Sequence, residues 1–230
     1  MAPILEARRL DKSFPRAGGA VTVLQGCDFA LAAGENVAII GPSGAGKSTF
    51  LNLISGLDAP TGGEVLYDGK PLTGLGPDGW ADWRRAHVGF VFQFHFLLPD
   101  FTALENVLMP ARLRGDSGAQ AAGRALALLA RMGLADRADH LPGELSGGEQ
   151  QRVAVARAYM NAPRLVLADE PFGNLDLQKG RELADLLLSL GRDEGSSLIV
   201  VTHDLTLAAR ADRILELRDG RLAASPAGVS

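Results

Sequence analysis

Cysteine is almost absent: Cys27 is the only one among 230 residues. No internal disulfide can form and no cysteine-based metal cluster can be assembled. Such usage suits a reducing compartment. Cys27 itself lies in an apolar-rich stretch and reads as a small buried residue. Long hydrophobic runs are also missing. Nothing approaches the ~20 apolar residues of a membrane span, and MAPILEARRL at the start lacks the apolar core of a signal peptide. The expectation is a soluble cytoplasmic protein, although a partner can hold such a protein on a membrane. There is no basic excess either. The net charge is −4 with both signs interspersed, whereas a nucleic-acid grip needs a basic stripe. No internal repeat, low-complexity tract or long linker interrupts the chain.

Hydrophobic residues at 47% and charged residues at 22% are what a packed globular core requires. The length fits one large domain or two small ones. The most informative stretch is VAIIGPSGAGKSTF, residues 37–50. It reads as apolar strand, glycine-rich turn and helix start, and Gly41 to Ser48 fits G-x-x-x-x-G-K-[ST]. Glycines let the backbone approach a polyphosphate and aim successive N–H groups at it. A helix beginning near Gly46 directs its positive end at the same anion. Lys47 reaches β/γ oxygens, and Ser48 offers a hydroxyl to Mg²⁺. Gly41, Pro42, Ser43, Gly44, Ala45, Gly46, Lys47, Ser48 and Thr49 are therefore candidate nucleotide contacts.

Upstream, strands are expected over 4–14 and 21–31 with a turn at 15–20. Phe14 precedes that turn. It is either a ring stacked on a nucleobase or a core-edge aromatic. A buried strand over 36–40 leads into the phosphate loop, and a helix over 47–57 leaves it. A strand over 62–69, a loop over 71–77, a helix near 78–86 and a strand over 88–92 ending at Gln93 follow. Residues 94–101 are unusually aromatic for a loop. Thr102 and Glu105 make a capping box for a helix over 103–113, bent or interrupted at Pro110. Alanine and leucine at helical spacing predict a further helix over 117–132.

Ser146 and Glu149 form a second capping box, opening a helix through about Met160. RLVLADEP, residues 164–171, is an apolar strand ending in Asp169 and Glu170. A tight turn over 173–176, a helix over 177–192, and a strand over 197–204 carrying His203 come next. A short helix over 205–211, a hairpin over 214–222 with an Asp-Gly turn and a frayed tail over 223–230 end the chain. The later strands alternate with helices, which argues for a mainly parallel sheet covered on both faces.

Open sheets of this kind place ligands at the carboxyl ends of their strands. Asp169 stands at such an end, where a carboxylate supports the Mg²⁺ shell of a phosphate-loop nucleotide. Glu170, beside it, is placed to polarise an attacking water, an effect typically worth ~10²–10⁴ in rate. His203 and Gln93 follow the same pattern of strand end and polar residue. Ser146, Gly147 and Gly148 present N–H groups and a hydroxyl at a helix N-terminus, a second anion site. A helical segment separates the two anion sites in sequence, so both need not reach one phosphate within one molecule.

GPSGAGKST, Gln93, LSGGEQQR, LVLADE, GNLD and His203 occur in the order found in ATP-binding-cassette ATPases. The sequence resembles that family over nearly its whole length. The resemblance implies an α/β P-loop NTPase fold with a mainly parallel core sheet, an antiparallel β subdomain and an α-helical subdomain. It implies one cassette over 1–230, with the helical subdomain at about 94–160. It further implies a homodimer packed head to tail, each ATP lying between one copy's phosphate loop and the other's LSGGE segment. By resemblance Phe14 stacks on the base, Lys47 and Ser48 bind phosphate and Mg²⁺, and Asp169 and Gln93 support the metal. Glu170 is then the catalytic base, Ser146, Gly147 and Gly148 close the partner's site, Asp176 couples the two sites, and His203 senses the γ-phosphate.

Within the family, QFHFLLPDFTALENV and DEPFGNLD are most similar to ATPases of lipoprotein-releasing systems. Exporter cassettes of the MacB kind and the cell-division ATPase FtsE are near relatives and the alternative reading. Phe172 departs from the threonine those relatives often carry. This likeness implies a peripheral protein on the cytoplasmic face of the bacterial inner membrane. Two integral membrane subunits resembling LolC and LolE would dock near residues 93–109 and handle the lipoprotein cargo, with no role for nucleic acid. Chromosome-type cassettes insert long coiled coils that are missing here, translation-type chains carry two cassettes, and a P-loop kinase would leave LSGGEQQR unexplained.

Overall fold

The computed structural model describes residues 2–173 and 175–225. Asn174, within the expected 173–176 turn, and residues 226–230 of the expected frayed tail lie outside the described residues. In chain order the elements begin β1 (Leu5–Arg16), β2 (Gly19–Leu31), β3 (Asn36–Ile40), α1 (Lys47–Ile54), β4 (Gly62–Tyr67), β5 (Lys70–Pro71), α2 (Pro77–His87) and β6 (Val88–Phe92). They continue α3 (Ala103–Leu113), α4 (Ala119–Arg131), α5 (Gly147–Tyr159), β7 (Leu165–Asp169), α6 (Leu177–Glu194), β8 (Ser197–Val201), α7 (Leu205–Ala208), β9 (Arg213–Arg218) and β10 (Arg221–Ala224). Short 3₁₀ turns at Ala135–Arg137 and Pro142–Glu144 were not expected from sequence. The chain divides into two compact units: Met1–Asp82 with Ser197–Ser230, and Trp83–Ser196.

The first unit holds an antiparallel sheet ordered β2-β1-β4-β5. The β1–β2 connection is tighter than the expected 15–20 turn. Pro15 pairs with Ala20 and Arg16 with Gly19, so only Ala17 and Gly18 remain to turn the chain. Proline is tolerated there because β4 pairs with β1 only as far as Asp11, leaving the end of β1 as an edge. The same unit holds β3, which runs parallel to β8 from Asn36↔Leu198 and parallel to β9 from Val37↔Arg213. All five residues of β3 and of β8 are buried, as expected of parallel strands covered on both faces. The β9–β10 hairpin turns at Asp219 and Gly220, both at positive φ (49° and 73°). That is the two-residue geometry an Asp-Gly pair favours. Cys27 is buried and its thiol donates to Gly220 O; burial pushes its pKa up.

Helix α1 stops three residues short of expectation. Gly56 takes φ +65°, and the Trp80 ring lies where a Cβ on Gly56 would sit, 2.1 Å from its nearest atoms. No other residue fits under that ring. Phe50, fully buried, anchors α1 to β2 by an edge-on contact with Phe29, the centroids 5.4 Å apart.

In the second unit β6 and β7 pair in parallel from Val88↔Leu165 to Phe92↔Asp169. Helix α5 is buried nearly all round, with Val153, Ala154, Val155, Ala156 and Tyr159 inaccessible, the mark of a central helix. Arg124 of α4 donates to Met160 O and Tyr159 O at the end of α5 and pairs with Glu194 of α6 at 2.8 Å. One guanidinium thus satisfies the terminal carbonyls of one helix and joins two others. Both capping boxes form as read from sequence, Thr102 with Glu105 and Ser146 with Glu149. Pro110 does not end α3, which runs through it to Leu113.

Candidate functional site

In the first unit, the phosphate loop connects the buried end of β3 to α1. Gly41 takes φ +150°, and a Cβ there would fall 2.4 Å from Leu217 O. Gly46 is the N-cap of α1 at φ +101°, and no side chain caps the helix. A helix start without a side-chain cap leaves its first N–H groups able to meet an anion. Lys47 is buried at 8% exposure. Its Nζ donates to Gly41 O at 2.9 Å and Pro42 O at 3.0 Å, so the ammonium lies inside the loop it serves. The Ser48 side chain is exposed at the start of the helix.

Phe14 is 40% exposed near the tip of the β1–β2 hairpin. Lys12 Nζ stands 4.8 Å from the ring centroid while bonding to Asp58 and Ala59 O. His203 is exposed, but it does not end a strand as expected. β8 stops at Val201, and the Thr202 hydroxyl accepts from Asp204 N–H at 3.1 Å, turning the chain before α7. Asp204 then caps that short helix.

The second unit gathers the remaining candidates. Asp169 is the last residue of β7, paired with Phe92, so Gln93 and Glu170 each follow a strand end in adjacent strands. Glu170 has left-handed backbone, φ 46°. Its carbonyl accepts from Gly173 N–H at 3.1 Å. The Gln93 amide packs on Gly173: a Cβ there would sit 3.0 Å from Nε2. Asp176 is the N-cap of α6, its carboxylate accepting from Lys179 N–H. That bond and the Lys179 side chain hold its pKa below the usual carboxylate range.

Ser146 caps α5. Its Oγ accepts from Glu149 N–H at 3.3 Å and donates to the Glu149 carboxylate at 2.7 Å. The bonds from Ser146, with Arg137 adding to them, hold Glu149 below the usual carboxylate range. Gly147 is exposed and Gly148 half-buried.

An ABC transporter family model matches residues 24–173. The lipoprotein-releasing system ATP-binding protein LolD of Idiomarina loihiensis is 49% identical over 95% of this chain and 96% of its own length. The uncharacterized ABC transporter ATP-binding protein YbbA of Escherichia coli K12 is 50% identical over 95% and 96%. Among solved structures, the ATP-binding cassette MJ0796, in a dimeric post-hydrolysis state bound to ADP and phosphate, superposes with a TM-score of 0.88. It is 39% identical and covers 96% of this chain and 98% of its own.

The chain belongs to the ABC transporter family. It is an ATP-hydrolysing cassette of α/β P-loop fold, with parallel core strands, an antiparallel β sheet and a group of helices. No helix among the described residues is long and apolar enough to cross a membrane.

Several residues of this ABC cassette escaped the sequence reading. Asn106 on α3 is fully buried. It accepts from Leu98 N–H and donates to Leu98 O, Phe101 O and Thr102 O, gathering the loop that precedes the helix. The aromatic loop emerges from that hub, with Phe94 and Phe96 more than 60% exposed. Phe92, Phe94 and Phe96 touch ring to ring, at 5.5 Å for 92–96 and 6.4 Å for 94–96. Arg157 of α5 holds this loop from below through His95 O and Phe96 O, both at 2.7 Å. Burial pushes the His95 pKa down; Arg157 adds to this, and the ring's hydrogen bond to the Gly147 backbone opposes it.

Asn106→Leu keeps the branching of the side chain and removes every bond of the hub. The loop groups lose their partners, so the expected cost is about 2 kcal/mol. The melting temperature should fall by roughly 4–8 °C. A thermal melt checks this, and an unchanged midpoint would contradict the role of Asn106.

Proposed function

We propose that this ATPase powers release of outer-membrane lipoproteins from the bacterial inner membrane, working as a peripheral homodimer on two integral membrane subunits. The observation that carries the reading is the near-full-length identity to LolD of Idiomarina loihiensis, together with an exposed phenylalanine loop suited to receiving a membrane subunit. We read the chain as one cassette with a helical subdomain at about 94–160. Residues 93–109 are the proposed docking region for LolC- and LolE-like subunits.

In the proposed cycle Phe14 stacks on the adenine ring, and the backbone of 41–49 cradles the phosphates while Lys47 neutralises them. Glu170 accepts a proton from the attacking water, Gln93 orients that water, and His203 contacts the γ-phosphate. Ser146, Gly147 and Gly148 of the other copy close over the same ATP, and Asp176 links the two sites. Ser48, Asp169 and Gln93 offer hydroxyl, carboxylate and amide oxygens, a hard-donor set that suits Mg²⁺. Mg²⁺ bound there would offset phosphate charge as it builds up on the leaving group.

The test is complementation. Expressed with its own neighbouring membrane subunits in cells depleted of their lipoprotein-releasing ATPase, the chain should restore growth and outer-membrane lipoprotein. Lipoprotein retained in the inner membrane, with ATPase activity intact, would reject this cargo.

A further inference from the structure

We propose that Gln151 is a positioning residue that fixes, with one side chain, the two backbone turns carrying Gln93 and Glu170. This rests on the roles given to those two residues above. Gln151 lies in the second turn of α5 and is 1% exposed. Its Nε2 donates to Phe92 O at 3.0 Å and to Pro171 O at 2.7 Å. Phe92 immediately precedes Gln93, and Pro171 immediately follows Glu170. Both partners are acceptors, so an amide nitrogen with two hydrogens serves both. Proline has no N–H, which leaves its carbonyl as the one backbone hydrogen-bonding group of the residue that follows Glu170.

The backbone of Glu170 gives an independent reason for such a tie. At φ 46° it occupies a region that residues with a side chain keep only where the surroundings over-determine them. Two hydrogen bonds provide that constraint here, Gln151 to Pro171 O and Gly173 N–H to Glu170 O. The Gln93 amide lies against the same Gly173. The two residues, carried on separate turns, therefore meet at Gly173 and share one anchor, and the anchor belongs to α5. That helix begins at Ser146, so any displacement of its tip is passed to both residues together.

Gln151→Met keeps length and apolar bulk but donates no hydrogen bond. In the full-length chain kcat should fall roughly 10–100-fold while KM for ATP stays within about threefold. Because binding survives and cleavage slows, Mg-ATP should accumulate a dimer on size-exclusion chromatography. A parental kcat overturns the proposal. So does a kcat loss with a weakened KM and no ATP-bound dimer, which reports only a loosened fold. Gln151→Glu covers the case in which the methionine variant fails to fold. Its carboxyl donates one bond only when protonated, so its rate relative to the parent should rise as pH falls, and a ratio flat in pH overturns the proposal. Glu170→Gln, measured alongside, separates the two layers: parental hydrolysis there removes the role of Glu170 itself, whereas a dead Glu170→Gln beside an unimpaired Gln151→Met removes only the positioning.

Discussion

Glu170→Gln is expected to bind ATP with parental affinity, to lose at least about 100-fold in turnover, and to accumulate an ATP-bound dimer. The residue follows the carboxylate that ends β7 and is held in left-handed backbone by the Gly173 N–H and the Gln151 tie. An amide there keeps the shape of the side chain and leaves both backbone bonds in place, but it cannot take up the proton of an attacking water. Ground-state binding is untouched and the transition state is lost, which is the pattern of kcat falling with KM preserved. Size-exclusion chromatography with Mg-ATP and a phosphate-release assay check both halves. A variant that stays monomeric and hydrolyses at the parental rate would remove Glu170 from the chemistry.

Lys47→Ala is expected to reduce turnover by about 100–1000-fold, the usual cost of deleting one preorganised donor to a reacting group. Two effects add. On the proposed binding mode the phosphates lose a neutralising cation, and the phosphate loop loses the ammonium that ties Gly41 O and Pro42 O together from inside. The second effect separates this lysine from a merely attractive surface charge. For the same reason Lys47→Arg should not restore activity: Lys47 is buried inside the loop, and a guanidinium is longer and bulkier than the compact ammonium that the loop closes around. Nucleotide binding by fluorescence titration and steady-state ATPase rates test this; parental rates in Lys47→Ala would defeat it.

The phosphate loop, the two capping boxes and the Asp-Gly hairpin were legible because each is written in a handful of neighbouring residues. Their geometry is local, and side-chain type alone sets it. What the sequence hid depends on distant partners or on very short elements. β5 is two residues long and contains Pro71, so no alternation announces it. β8 ends before His203 because the Thr202 hydroxyl bonds the backbone two residues on, a choice that apolar patterning does not record. α1 ends at Gly56 because of Trp80, twenty-four residues later in the numbering. Gln151 looked like one more polar residue in a motif, since its partners, Phe92 and Pro171, are far from it along the chain. Asn106 was concealed in the same way inside an amphipathic helix pattern.

The cap on α5 carries a consequence for how tightly two copies hold their nucleotide. Ser146 already spends its proton on the Glu149 carboxylate, and Arg137 lies 3.4 Å from that same group. The tip of the helix thus carries its own negative guest. On the dimer proposed above, a terminal phosphate arriving from across the interface competes with this carboxylate for the Ser146 hydroxyl, and the carboxylate has Arg137 to turn to. At that hydroxyl, engagement is an exchange of one anion for another, with a smaller net gain than simple addition. A clasp built this way lets go readily once the phosphate bond is cut, and a machine that has to cycle needs that looseness as much as it needs the grip.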